Sequence, residues 1–239
     1  MSSSTVSHTP EPNQMAIQDA PRIVFEDPQI LVIDKPAGLL SQGDASGLPT
    51  VVSWAQEYLG RPYVGLVHRL DRNTSGLMVL AKRTKSAQRL TDQIQDGRLR
   101  RRYEALVCGS PPEEFVWEHW LLKNEATNTS RAVRDGTPGA KRAVLRGKVL
   151  ARGLKPQDPH ELPSSGVCRV EFELETGRHH QIRAQAKAQG FPLVGDQKYG
   201  TQAQAPRVCL HSSWMELEHP ISKAVLSWSC HFLTDLVGY

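Results

Sequence analysis

Nine residues, His68-Arg69-Leu70-Asp71-Arg72-Asn73-Thr74-Ser75-Gly76, constrain this chain more than any other stretch, because they make a polar turn pinned between two apolar segments. Gly65-Leu66-Val67 reads as a short strand entering the turn, and Leu77-Met78-Val79-Leu80-Ala81 as a buried strand leaving it. Asp71 therefore sits between two arginines on a braced loop, where a carboxylate stays ionised and can meet an electrophile. Asp, Asn, Thr, Ser and Gly are also the makings of an ordinary turn, so residue types alone leave a purely structural reading open.

The rest of the chain suggests a single α+β domain on a mixed, mainly antiparallel sheet. Arg22-Phe25, Ile30-Ile33, Ala143-Leu150, Val167-Leu174, Val208-Leu210 and Ala224-Trp228 are strand candidates. Thr50 is placed to cap a helix whose Val51, Trp54, Ala55 and Tyr58 face inward until Gly60 and Pro62 end it. Thr84 is the expected cap of a second helix, with Ala87, Leu90 and Ile94 on one face and Gly97 as its stop. A third, from about His180 to Gln189, buries Ile182 and Ala186 and ends at Gly190. Three prolines and two glycines make 151–166 a loop or insertion within residues 21–239.

At 239 residues and 39% hydrophobic content the chain can fill a sizeable core. No apolar run reaches membrane-spanning length, and residues 1–20, rich in Ser, Thr, Pro, Asn and Gln, read as a disordered tail without a signal-peptide core. The cytoplasm is the default expectation, and a monomer the expected state. Cys108, Cys168, Cys209 and Cys230 are too scattered for a zinc loop and read as free, buried thiols. His179 and His180, as neighbours on a helix, would point apart, with no third ligand in sight, so no metal is expected.

A net charge of +4 does not announce a nucleic-acid partner, but its distribution is uneven. From Lys82 to Arg102 there are eight Lys or Arg against Asp92 and Asp96, ending in Arg98, Arg100, Arg101 and Arg102. This charge lies next in sequence to the Asp71 loop, where it can hold phosphates without reading bases. Arg61, Arg69, Arg72, Arg131, Arg134, Lys141 and Arg142 can extend that surface.

The His68–Gly76 block resembles the active-site motif of pseudouridine synthases of the RluA family, matched at every fixed position. Further blocks similar to that family follow in order across residues 22–220: Ile33-Asp34-Lys35-Pro36-Ala37-Gly38, Arg102-Tyr103-Glu104-Ala105-Leu106-Val107, Thr176-Gly177-Arg178-His179-His180-Gln181-Ile182-Arg183, Gly195-Asp196-Gln197-Lys198-Tyr199-Gly200, and Leu210-His211 with His219-Pro220. After Arg183 the family often continues with a histidine two positions on, where this chain has Gln185. No RNA-binding module is expected ahead of these blocks.

The resemblance implies an isomerase that breaks the bond from a uridine's anomeric carbon to the ring nitrogen and rejoins that carbon to C5. No cofactor is implied, and the implied partner is ribosomal or transfer RNA. It makes Asp71 the catalytic aspartate, Arg183 its cationic partner and Tyr103 the ring that stacks on the target uracil and is a candidate proton acceptor. Arg69 is then the candidate to occupy the vacated stack or to hold the flipped nucleotide, and Arg72, Arg98, Arg100, Arg101 and Arg178 are the further expected RNA contacts. Two rivals remain open: a hydrolase or metalloenzyme using Asp71 with the histidines, and a catalytically inactive RNA-binding protein of the same fold.

Overall fold

The computed structural model describes residues 20–43, 47–154, 166–200 and 205–231. Its core follows from two strands with unbroken apolar runs, Ile30–Ile33 and Leu77–Ala81. Strands β2 (Ile30–Lys35) and β4 (Ser75–Ala81) pair antiparallel, Ile30 opposite Ala81 and Lys35 opposite Gly76. Because strand side chains alternate faces, each feeds two cores at once. Leu31, Ile33, Met78 and Leu80 join one cluster, while Ile30, Val32, Leu77, Val79 and Ala81 join another on the opposite face. Burial on both faces fixes the register, since a slip by one residue would exchange the two sets.

Eleven strands form one sheet in the order β1-β2-β4-β10-β5-β9-β8-β6-β7, with β3 paired to β4 and β11 to β10. These are β1 (Arg22–Glu26), β3 (Gly65–Leu66), β5 (Arg100–Cys108), β6 (Glu114–Asn124), β7 (Thr129–Val133), β8 (Lys141–Leu154), β9 (Val167–Leu174), β10 (Leu210–Glu218) and β11 (Val225–Ser229). Every pairing is antiparallel except β4 with β10, so the fold is the expected mixed, mainly antiparallel α+β domain. At that parallel junction Gly76 takes φ +108°, and a Cβ there would lie 2.3 Å from the backbone oxygen of Ser212. Only a glycine allows the two backbones to meet so closely.

Helix α1 (Val51–Leu59) starts on a capping box: Ser53 N–H donates to Thr50 Oγ1 at 3.0 Å and Thr50 N–H to Ser53 Oγ at 2.9 Å. Val51 and Ala55 are buried, but Tyr58, expected inside, is exposed and hydrogen-bonds Glu26 across the surface at 2.9 Å. Helix α2 (Thr84–Gln95) lays Ala87, Leu90 and Ile94 on the second core. Its N-cap is Arg83, so Thr84, expected as the cap, is already the first helical residue. Helix α3 (Gln181–Ala188) buries Ile182 and Ala186.

The expectation of a loop from residue 151 is corrected by β8, which runs on through Leu154 to pair with Val167; register shifts either side of Ala151 and φ +67° at Gly153 carry the glycine-containing sequence along the sheet. Residues 155–165 lie outside the described residues, as does the proposed tail up to residue 19. The four cysteines are buried, and none is in a disulfide among the described residues. No helix among the described residues is long and apolar enough to cross a membrane.

Candidate active site

The turn His68–Gly76 is held from below by Lys35. Its side chain is wholly buried, and Nζ donates to the backbone oxygens of Pro36, Leu39 and Arg72 at 2.8, 2.9 and 3.1 Å. Gly38 N–H also donates to Arg72 O at 2.8 Å, and Arg72 Nε to Gly38 O at 3.0 Å, so the two loops are laced together. Burial pulls the Lys35 ammonium down to about 7, opposed by the negative charge of Asp71. Leu70 points into the first core, its backbone bracketed by Ser41 Oγ, which donates to Leu70 O at 2.6 Å and accepts from its N–H at 3.1 Å. His68 is buried too, Nε2 accepting from Val79 N–H at 3.1 Å. Alternation of buried His68 and Leu70 with exposed Arg69 and part-exposed Asp71 thus presents the acid at the surface of a rigid bed.

Arg183, on the first turn of α3, meets it there. Its Nη1 donates to Asp71 Oδ2 at 3.0 Å, while Nε and Nη2 form a two-pronged contact with Asp196 Oδ2 and Oδ1 at 2.8 and 2.7 Å. Only 8% of Arg183 and 1% of Asp196 are exposed, so the guanidinium is a preset cation, buried but fully paired. Although burial opposes it, the two carboxylates hold Arg183 far above the ordinary arginine value. Its guanidinium also lies 5.0 Å from the centre of the Tyr199 ring.

Tyr103, on β5 opposite Ser212 of β10, is 4% exposed and belongs to the same core cluster as Leu70 and Ile182. Burial raises its phenol, and the Asp71 charge adds to the rise against the opposing charge of Arg101. Asp71 and Arg183 are in direct contact, and Tyr103, on a third element, lies near enough for the Asp71 charge to act on its phenol.

The expected basic run divides. Strand alternation turns Arg101 inward, 8% exposed, and Arg100 and Arg102 outward. Arg100 pairs with Glu173 at 2.8 Å and Glu216 at 3.7 Å, Arg102 with Glu173 at 3.6 Å and Glu171 at 3.9 Å, and Arg98 with Asp96 at 2.7 Å. Arg98 meets an acid two residues away, but Arg100 and Arg102 read as free cations in sequence because the acids that meet them lie on other strands. Arg69 and Arg72, by contrast, are exposed beside Asp71, and Arg178 is exposed with Nε donating to Arg142 O at 2.8 Å.

Three participants stand within the quoted blocks but carry no site role in the sequence reading. Asp196 orients Arg183; His180 and Tyr199 flank Asp71, with His180 Nε2 3.7 Å from Asp71 Oδ2 and Nδ1 3.0 Å from the Tyr199 hydroxyl. The two histidines precede α3 rather than riding on it: His180 is the N-cap at φ +51°, and the rings stack with centroids 3.8 Å apart instead of pointing apart. The repeated histidine before Gln181-Ile182-Arg183 was the available signal. Gln185 is wholly buried, its amide nitrogen donating to Trp117 O at 3.0 Å and Ala143 O at 3.2 Å, so this departure from the family pattern serves packing. Asp34, His211 and Cys230 bring ligand-type atoms within 4.8 Å of one another on the face opposite the site. Each already has a protein partner: Arg22 for Asp34 at 3.1 Å, and a contact of 3.0 Å between His211 Nε2 and Cys230 Sγ.

Among solved structures, human RNA pseudouridylate synthase domain containing 1 superposes with a TM-score of 0.74 over 95% of this chain and 89% of its own, at 23% identity. The human protein named domain containing 4 does so with a TM-score of 0.69, at 22% identity. The fold is therefore that of a pseudouridine-synthase catalytic domain. Residues 29–188 match the family described as RNA pseudouridylate synthase. The chain is 32% identical to ribosomal large subunit pseudouridine synthase D of Pasteurella multocida, over 90% of this chain and 68% of that one. It is 33% identical to the Pseudomonas aeruginosa protein of the same name, over 90% and 69%. This chain belongs to the RNA pseudouridylate synthase family and is an RNA isomerase.

Proposed function

We propose that the chain converts uridine to pseudouridine in large-subunit ribosomal RNA, as a cytoplasmic monomer, with Asp71 as the reacting carboxylate. The contact between Asp71 and a guanidinium itself locked by Asp196 carries this reading. It supplies an ionised acid in a single rotamer, which is what attack on the base or sugar, or assistance to elimination, requires. The target C1′–N1 bond breaks, C1′ joins C5, the C5 proton leaves and N1 ends protonated; no electrons are gained or lost, so the balance calls for no redox cofactor.

Tyr103 forms the floor of the site. A phenol raised by burial is a poor proton acceptor, which favours its ring as support for the uracil over service as the base at C5. Arg69 and Arg72 are the proposed contacts to the flipped nucleotide and its phosphates, with Arg178 further out. Arg98 and Arg100 reach phosphates only by exchanging their carboxylate partners, and Arg101 supports the site from within.

Large-subunit RNA is favoured over transfer RNA by the names that the bacterial relatives carry. Mapping pseudouridines in total RNA with and without the gene tests the substrate: loss at positions in large-subunit RNA is expected, and loss confined to transfer RNA would overturn it. Activity insensitive to EDTA is expected; inactivation by the chelator would support the metal-dependent rival.

A further inference from the structure

The hydroxyl of Tyr199 accepts the Ser130 N–H at 2.8 Å and lies 3.0 Å from His180 Nδ1. A phenol has one proton, and with the amide already donating to its oxygen that proton goes to Nδ1. Nδ1 is then an acceptor, and the proton of the neutral ring sits on Nε2, facing Asp71 Oδ2 at 3.7 Å. The opposite tautomer would set a lone pair against a carboxylate and leave the Tyr199 proton without an acceptor. Two independent contacts thus select the same tautomer. Ring orientation is fixed as well: His179 stacks on His180 at 3.8 Å, and its Nδ1 pairs with Ser130 Oγ at 3.0 Å. Ser130 therefore anchors both rings, through its backbone and its side chain.

We propose that Ser130 and Tyr199 hold His180 as an Nε2–H donor aimed at Asp71 Oδ2, making His180 a positioning residue that leaves Asp71 Oδ1 free for the nucleotide. The proposal rests on the reading of Asp71 as the reacting carboxylate. Arg183 also binds Oδ2, and no described residue donates a hydrogen bond to Oδ1. Burial keeps the His180 ring neutral, its pKa lowered to about 3 against the pull of Asp71. Closing the 3.7 Å gap to hydrogen-bond distance takes about 0.7 Å, the kind of tightening that substrate binding brings to a free site.

The tautomer is read directly from nitrogen-15 spectra of the histidine rings in the wild-type protein at pH 7.5, the His180 signals being assigned by contacts to the Tyr199 ring. A neutral ring protonated on Nε2 is expected; protonation on Nδ1, or a charged ring, overturns the proposal without any variant needing to fold. Single-turnover kinetics on ribosomal RNA supply the second readout. His180→Asn accepts the left-handed backbone but cannot reach Asp71, and its rate constant is expected to fall about ten-fold with half-saturation changed less than about two-fold. His180→Gln restores a donor near the Nε2 position and recovers most of the rate. Tyr199→Phe, measured alongside, shifts the ring toward a mixture of tautomers. If Asp71→Asn abolishes pseudouridine formation while His180→Asn runs at the wild-type rate, the positioning role alone is wrong. If Asp71→Asn remains active, the reading of Asp71 has failed instead.

Discussion

Arg183 serves two carboxylates at once, and a pair of substitutions separates the two services. In Arg183→Met the bidentate contact at 2.7 and 2.8 Å is gone and Asp196, 1% exposed, keeps a charge with no cation beside it. Breaking a buried pair from one side costs about 3–5 kcal/mol, a large share of the roughly 5–15 kcal/mol that holds a domain folded. For a chain of this size each kcal/mol moves the melting temperature by about 2–4 °C, so a fall of about 6–20 °C is expected. Adding Asp196→Leu removes the stranded charge and fills its site with apolar volume, and the double variant is expected within about 2 kcal/mol of wild type. Asp71, 26% exposed on its side chain, is solvated in both variants but no longer clamped, so pseudouridine formation stays at least about 100-fold down even in the stable double variant. Urea titration followed by tryptophan fluorescence, with single-turnover assays on the same samples, reads both quantities. A single substitution costing under about 1 kcal/mol would refute the buried-pair argument, and a double variant with restored activity would refute the clamp.

Gly76→Ala places a methyl 2.3 Å from Ser212 O and 2.6 Å from Ser212 N at φ +108°, so calorimetry should show a loss of at least about 3 kcal/mol or failure to fold; a near-normal melt would mean that β4 and β10 do not meet as described. His68 is held neutral by burial, with Arg101 adding, its pKa falling from 6.5 to about 3; the unfolded chain therefore binds a proton that the folded one refuses between those values, and stability, complete above about pH 6.5, drains away toward pH 3. In urea titrations across that range His68→Gln should flatten the acid limb, and an unchanged slope would contradict the assignment. Arg69→Ala should lower the salt dependence of RNA binding by about one unit of slope, whereas Arg100→Ala, its charge already matched by Glu173 and Glu216, should leave it nearly unchanged.

The parts of the fold legible in the sequence are those where one physical requirement dominates. The Leu77–Ala81 run had to be buried on both sides, and the Thr50 cap and the glycine after α2 are local devices that need no tertiary partner. Strand β6 is hard to read because Phe115, Trp117 and Leu121 alternate with Val116, Trp120 and Leu122, so both faces carry apolar residues and the period of two is hidden. Val116 is 54% exposed while Trp117 is 4% exposed, a distinction that only packing makes. The pairing of Arg100 and Arg102 is hidden for the converse reason, their neutralising acids lying on β9 and β10, more than sixty residues away. The resemblance proposes roles for the acid, the arginine and the tyrosine; it includes Asp196, His180 and Tyr199 in its blocks without a role and does not reach Ser130, because a turn aspartate and a histidine pair acquire meaning only when α3 and the β6–β7 hairpin close around Asp71.

The central claim is that one clamped carboxylate carries out the isomerisation. Its most direct measurement is pseudouridine in ribosomal RNA after incubation with equal amounts of folded wild-type and Asp71→Asn protein, with RNA affinity determined in parallel. The account predicts that the variant binds RNA within a few-fold of wild type and forms no pseudouridine. Pseudouridine formed by Asp71→Asn at a rate near that of the wild type would contradict it.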